Sequence, residues 1–150
     1  MEKRFGHKAS IKDGAIIIAK KTNSIAVATG NGAWLMAEGP NSVAAATGYD
    51  SIIEVNGEHG VAVGNGHDNS AIASTPGSLA VAWGPHCKAK GCLGAILVLS
   101  EWEYRGSELA DDGFFNEHYE LIAQKLVVVD GENIKGGIWY HLVSGEVKEI

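Results

Sequence analysis

The stretch with the most specific chemical reading is Gly64-Asn65-Gly66-His67-Asp68, which matches part of the GGxGxDxUx nonapeptide whose turns bind calcium. Asp50, in Gly48-Tyr49-Asp50, lies one 18-residue step earlier. Asp50, His67 and Asp68 are therefore the candidate metal ligands. Calcium takes about six to eight oxygens, and the equivalent corners further out are Asn31-Gly32 and Pro85-His86, which leaves only two acidic rungs. The competing reading is that glycine turns a corner and aspartate bonds its own turn. His59, His67 and His86, with Cys87 and Cys92 near the last, are the softer ligand types, but a transition-metal site needs three or four that converge. No metal or other cofactor is expected. No Ser-His-Asp or Cys-His-Asp set can be assembled, and Glu101 and Glu103 flank Trp102 as an ordinary strand alternation. Thr29 and Thr47 make too short a ladder for an ice-binding array. A non-enzymatic protein is the expectation.

What positions these residues is a repeat. From Gly14 the chain divides into nines: GAIIIAKKT, NSIAVATGN, GAWLMAEGP, NSVAAATGY, DSIIEVNGE, HGVAVGNGH, DNSAIASTP, GSLAVAWGP, HCKAKGCLG. The second place is always small, the sixth is Ala or Gly except at Val55, and the eighth is Gly in six of nine units. Short runs of small and β-branched residues followed by polar corners are strand-and-turn chemistry with no helical period. A nine-residue unit suits a solenoid whose coils stack at about 4.8 Å. The fourth place alternates large and small through six units (Ile17, Ala26, Leu35, Ala44, Ile53, Ala62). The structural period is thus 18 residues, with two strands per coil on two facing sheets. The predicted class is an all-β, two-sheeted parallel β-solenoid (a β-roll) with a C-terminal antiparallel β cap. It divides into a lead-in over 1–13, repeats over 14–94 and a cap over 95–150.

Alternate residues of a strand share a face. Places three and five of the odd units include Glu54, Ser70, Lys88 and Lys90, so these places look outward and places two, four and six look in. In the even units the same places hold Ile25, Val27, Val43, Ala45, Val61, Val63, Leu79 and Val81, without a polar side-chain atom. An apolar ladder of that size calls for a cover. Either the C-terminal segment lies over it, or it is an oligomer interface, or the even sheet is inverted and these residues point inward. In the tail, AILVLSEWEYR and YELIAQKLVVV read as long strands, and IWYHLV and EVKEI as a hairpin across Ser144-Gly145, after a turn at Asp130-Gly131. GSELADDGFFNEH reads as an acidic loop with Phe114 and Phe115 packed on the cap.

The 150 residues carry 12 Lys and Arg against 18 Asp and Glu, a formal charge of −6, which argues against direct nucleic-acid binding. Between Lys21 and Lys88 there is no basic residue apart from histidine, while Glu38, Asp50, Glu54, Glu58 and Asp68 fall in that interval. Asp50, Glu54, Glu58 and Asp68 form a candidate acidic edge that could imitate nucleic acid and occupy a basic groove on another protein. Two cysteines are too few for a disulfide scaffold, the N-terminus has no signal-peptide core, and no apolar run approaches a membrane span. A cytoplasmic protein without membrane association is expected.

NSIAVATG and NSVAAATG resemble the NSxAxxxG repeats in the β-helical heads of trimeric bacterial adhesins, a likeness confined to the repeat. Residues 23–150 as a whole resemble uncharacterised proteins of gut Bacteroidales and their phages. In these, Ser/Ala/Gly repeats run into a tail such as AKGCLGAILVLSEW followed by LVVVDGENIKGGIWYHLVSGEVKEI. The acidic segment between Glu103 and Tyr119 exceeds the usual pattern of that family. The resemblance implies a fold and a phage or mobile-element origin, with a place in the host cytoplasm or on a virion, and no chemistry. The expected function is a binding or assembly module that self-associates through the even-unit ladder. The alternatives are an acidic inhibitor of a host protein and a small-ligand or metal-binding solenoid.

Overall fold

The first place of every repeat is a corner with one backbone conformation. In the computed structural model of the chain, which describes residues 6–150, Gly14, Asn23, Gly32, Asn41, Asp50, His59, Asp68, Gly77 and His86 are all left-handed, with φ between 53° and 75°. That region costs an ordinary residue about 1–2 kcal/mol, and glycine, Asn, Asp and His carry it most easily. The eighth place answers a different demand. A Cβ on Gly48 would sit 2.2 Å from the Gly30 carbonyl oxygen, and one on Gly57 would sit 2.0 Å from that of Gly39. Main chain meets main chain at these two positions, so a side chain at Gly48 or Gly57 is sterically barred.

Between corners the chain is extended. One sheet contains, in spatial order, β1 (Lys8–Ser10), β3 (Ile25–Ala28), β5 (Val43–Ala46), β7 (Val61–Asn65), β9 (Leu79–Trp83), β11 (Ile96–Leu109) and β12 (Phe115–Val128). The other contains β2 (Ile16–Ala19), β4 (Trp34–Ala37), β6 (Ile52–Val55), β8 (Ser70–Ala73), β10 (Lys88–Gly91), β13 (Tyr140–Val143) and β14 (Glu146–Glu149). The repeat strands pair in parallel at a spacing of 18 residues, Ile25 with Val43 and Ile17 with Leu35, and the two sheets stack into a β-solenoid of about five turns. The strand pattern reaches beyond 14–94: β1 already pairs with β3, and the start of β11 pairs with β9 before β12 returns antiparallel. The second sheet ends in antiparallel β13 and β14.

The core is thin and dry. Ile17, Leu35 and Ile53 of the second sheet are buried with Ala26, Ala44 and Ala62 of the first, the large-to-small match that a narrow interior requires. Where the fourth place becomes Ala71, Ala80 and Ala89, bulk comes instead from Leu97, Leu99, Tyr140 and Leu142 of the tail. The second place builds two internal polar ladders. The Ser24 N–H donates to Ser42 Oγ at 3.0 Å, and that of Gly60 to Ser78 Oγ at 3.2 Å. On the other sheet the Ala33 N–H donates to Ser51 Oγ at 3.2 Å. Every buried side-chain nitrogen and oxygen among the described residues has a partner.

The tail differs from the expected loop. GSELADDGFFNEH is mostly strand, because β11 runs to Leu109 and β12 resumes at Phe115, leaving a turn over 110–114. The register slips between Glu101 and Trp102 and again between Tyr104 and Gly106, and such bulges bend a ribbon. The bent hairpin lies along one corner of the solenoid, with Trp102 edge-on to Trp83 at 5.9 Å and Tyr119 on His67 at 4.7 Å. Phe114 and Phe115 stand at its tip, 74% and 69% exposed. They are presented to solvent and do not pack on the cap, because the strands carry them past it.

Candidate interface: the apolar face of the solenoid

Ile25, Val27, Val43, Val61, Val63, Leu79 and Val81 stand on the outer face of the first sheet in two unbroken rows. One row runs Ile25, Val43, Val61, Leu79, Ile96, Val128, and the other Val27, Ala45, Val63, Val81, Val98, Leu126. Each is a half-buried or exposed side chain, whereas the alternate residues Ala26, Ala44, Ala62 and Ala80 are fully buried. The inverted arrangement is therefore excluded. The tail does not lie over the face. Its strands add to the sheet edge and lengthen the face by Ile96, Val98, Leu126 and Val128, the last two 65% and 50% exposed.

These four additional residues escaped the sequence reading because the period slips. Leu79 pairs with Ile96, a step of 17, and an 18-residue extrapolation aligns Leu79 with buried Leu97. The alternation of Ile96 and Val98 with Leu97 and Leu99 was the available signal. Exposed Thr29, Thr47 and Asn65 follow on β3, β5 and β7 as a polar border, which gives way to Trp83 on β9. The opposite face is mixed. Ile16, Trp34 and Ile52 are exposed in one row that continues into Ser70 and Lys88, while Glu54 and Lys90 interrupt the adjacent row of Ile18, Met36 and Ile72, and Trp139 of the tail lies by both lysines at 5.1 and 4.6 Å.

The four acidic residues do not share an edge. Asp50 and Asp68 occupy the corner between β5 and β6 and its repeat one coil later, Glu58 lies at the opposite corner, and Glu54 projects from the outer face of β6, accepting a hydrogen bond from Ser74 at 2.9 Å. Steps of four residues carry the chain from the Asp50 corner to the middle of β6 at Glu54 and on to the opposite corner at Glu58, so the solenoid sends them to three surfaces. The proposed metal ligands are likewise apart in role. Asp50 and Asp68 are left-handed corner residues, and the His67 ring is held edge-on between Tyr49 at 5.0 Å and Tyr119 at 4.7 Å. Among the described residues no three His, Cys, Asp or Glu side chains are placed to hold an ion.

One further cluster has reactive residue types. His86, Cys87, Ser100, Glu101, Trp102 and His141 line a cleft of about 250 Å³ at the seam between solenoid and cap. Most are already engaged. Cys87 Sγ donates to the Gly66 carbonyl at 3.0 Å, and burial pushes its thiol up to about 11, which keeps it protonated and unreactive. Ser100 Oγ donates to the Ala82 carbonyl and accepts from the Gly84 and Trp102 N–H groups. The Glu101 carboxylate accepts the Ser144 and Gly145 N–H groups at 2.7 and 2.8 Å, clamping the β13–β14 turn. The cleft is a structural seam.

No family model, curated protein or solved structure matches the chain. Class and site therefore rest on the geometry: an all-β parallel solenoid with a C-terminal antiparallel cap, presenting one long apolar face.

Proposed function

We propose that the chain is a non-enzymatic binding and assembly module that associates with copies of itself through the first sheet's outer face. The observation that carries this is the unbroken register of apolar side chains across six strands, bordered on three of them by Thr29, Thr47 and Asn65. An apolar centre with a polar rim is the general anatomy of a protein interface. Six strands at about 4.8 Å and four residues at about 3.3 Å give a flat area of roughly 400 Å². That is the size of a functional surface patch and less than the roughly 800 Å² per partner of a stable complex. A patch of that size suits weak, reversible association between copies. The placement of this module in a phage or mobile element, acting in the host cytoplasm, rests on the resemblance of repeat and tail.

The acidic-inhibitor reading has less behind it, since Asp50, Glu54, Glu58 and Asp68 face three directions. Paired substitution Val61→Lys and Val63→Lys tests the proposal, because both positions point outward and tolerate charge without entering the core. The variant is expected to lose self-association while keeping its β-sheet circular dichroism. Unchanged association would place the contact elsewhere.

A further inference from the structure

The bent β11–β12 hairpin and the solenoid corner enclose a second cleft, of about 410 Å³, lined by Tyr49, His67, Phe115, Asn116 and Glu117. That volume lies in the range of small-ligand sites, about 300–1,000 Å³. One wall comes from the solenoid and the other from the hairpin. Tyr49 and Phe115 are each more than half exposed there. The walls are rigidly joined, because the His67 ring bridges Tyr49 and Tyr119, and Tyr119 in turn packs on Tyr104 at 5.4 Å.

The electrostatics of this cleft have one sign. Glu117 lines it, and Asp50 and Asp68 directly follow Tyr49 and His67 in the chain. The repeats between Lys21 and Lys88 supply no Lys or Arg, and the hairpin's Arg105 is held by Glu103 and Glu120 at 2.8 and 2.7 Å. Partial burial, then Glu117, and at longer range Asp68, raise the Tyr119 phenol above its ordinary value. The field at the rings is therefore negative. Aromatic faces with a carboxylate at the rim attract a weakly hydrated cation, and quaternary ammonium groups most of all.

We propose that this cleft binds an organic ammonium group, with Tyr49, His67 and Phe115 as the aromatic walls, Tyr119 backing His67, and Glu117 as the counter-charge. Neither wall belongs to the apolar face, so the proposal stands apart from self-association. Phe115 gains a role here: the hairpin tip that carries it delivers one wall of the site.

The test is a titration of the intact protein with tetramethylammonium chloride at constant ionic strength, followed by the aromatic proton resonances. Neutral neopentyl alcohol, of similar shape, is the comparison. Saturable shifts of the Tyr49, His67 and Phe115 rings are expected, with the neutral compound about tenfold weaker or more, since the interaction is electrostatic. Glu117→Gln should weaken the ammonium several-fold and leave the alcohol unchanged. Tyr49→Ala should remove binding, with thermal midpoint and sedimentation as for the parent. Equal affinity for the two compounds, the absence of saturation, or an undiminished affinity in Glu117→Gln would overturn the proposal.

Discussion

The buried main-chain amide of Ser51 donates to Asn69 Oδ1 at 2.8 Å, one coil further along the solenoid. Asn69 Nδ2 then donates to the Gly48 carbonyl at 2.8 Å, so one side chain ties together three points of neighbouring coils. Serines do the same at Ser42 and Ser78, which accept an amide and donate to a carbonyl 21 residues earlier. The second place is small because the core is narrow, and polar because each coil leaves an amide to satisfy.

Replacing Asn69 by Val orphans the Ser51 amide and the Gly48 carbonyl in a dry interior. Each buried unsatisfied group costs about 1–3 kcal/mol, so guanidinium denaturation should show a loss of about 2–5 kcal/mol. Asn69→Ser should lose markedly less, since a hydroxyl fills both roles elsewhere in the ladder. Equal losses for the two variants would mean that packing, and not the hydrogen bonds, sets the cost.

The two classes of corner residue should respond oppositely to substitution. Gly57→Ala drives a Cβ to 2.0 Å from the Gly39 carbonyl oxygen, and a forced backbone shift of that kind places the variant at about 3 kcal/mol or more of destabilisation. Gly32→Asn meets open space at a φ of 64°, a conformation that Asn23 and Asn41 already hold. Its stability should remain within about 1 kcal/mol of the parent. Chemical denaturation of the pair measures both.

Thiol titration should count the cysteines one at a time. Cys87 is buried with its thiol pushed up to about 11, and Cys92 is half-buried in the last repeat. At pH 8 a disulfide reagent is expected to react with Cys92 in the native protein and with both after denaturation. Native reaction of both at the same rate would show that the last coil opens readily.

The Asp130 turn predicts an acid limb of stability. Its carboxylate accepts the Ile134, Glu132 and Asn133 amides, each at 2.9 Å, and these bonds lower its pKa from 3.8 to about 2. The unfolded chain takes up this proton first as pH falls. The contribution is therefore full above about pH 5 and is lost progressively down to about pH 2. Thermal midpoints of Asp130→Asn should fall less steeply than those of the parent across that interval, and parallel curves would contradict the assignment.

Much of this fold was legible because the repeat states its constraints many times. The alternation of Ile17, Leu35 and Ile53 with alanines revealed the 18-residue coil, and Glu54 with Lys88 and Lys90 on one strand face revealed which side looks out. What escaped was everything that occurs once. The 17-residue step from Leu79 to Ile96 hides the extension of the apolar face. The bulges beside Trp102 and Arg105, which turn the hairpin onto His67, depend on a docking surface 35 or more residues away. Glu101 read as an exposed strand residue, and its clamp on the Ser144-Gly145 turn becomes visible only when both ends of the tail are in place. The acidic residues were close in sequence, yet a two-cornered coil distributes neighbours onto opposite sides.

The central claim is that the face built from Ile25 to Leu126 joins copies of this chain. Sedimentation velocity from about 1 to about 200 μM tests it most directly, a range that detects weak, reversible association. The sedimentation coefficient of the parent protein is expected to rise with concentration, and that of the Val61→Lys, Val63→Lys variant to stay at the monomer value throughout. A parent protein that remains strictly monomeric at the highest concentration would contradict it.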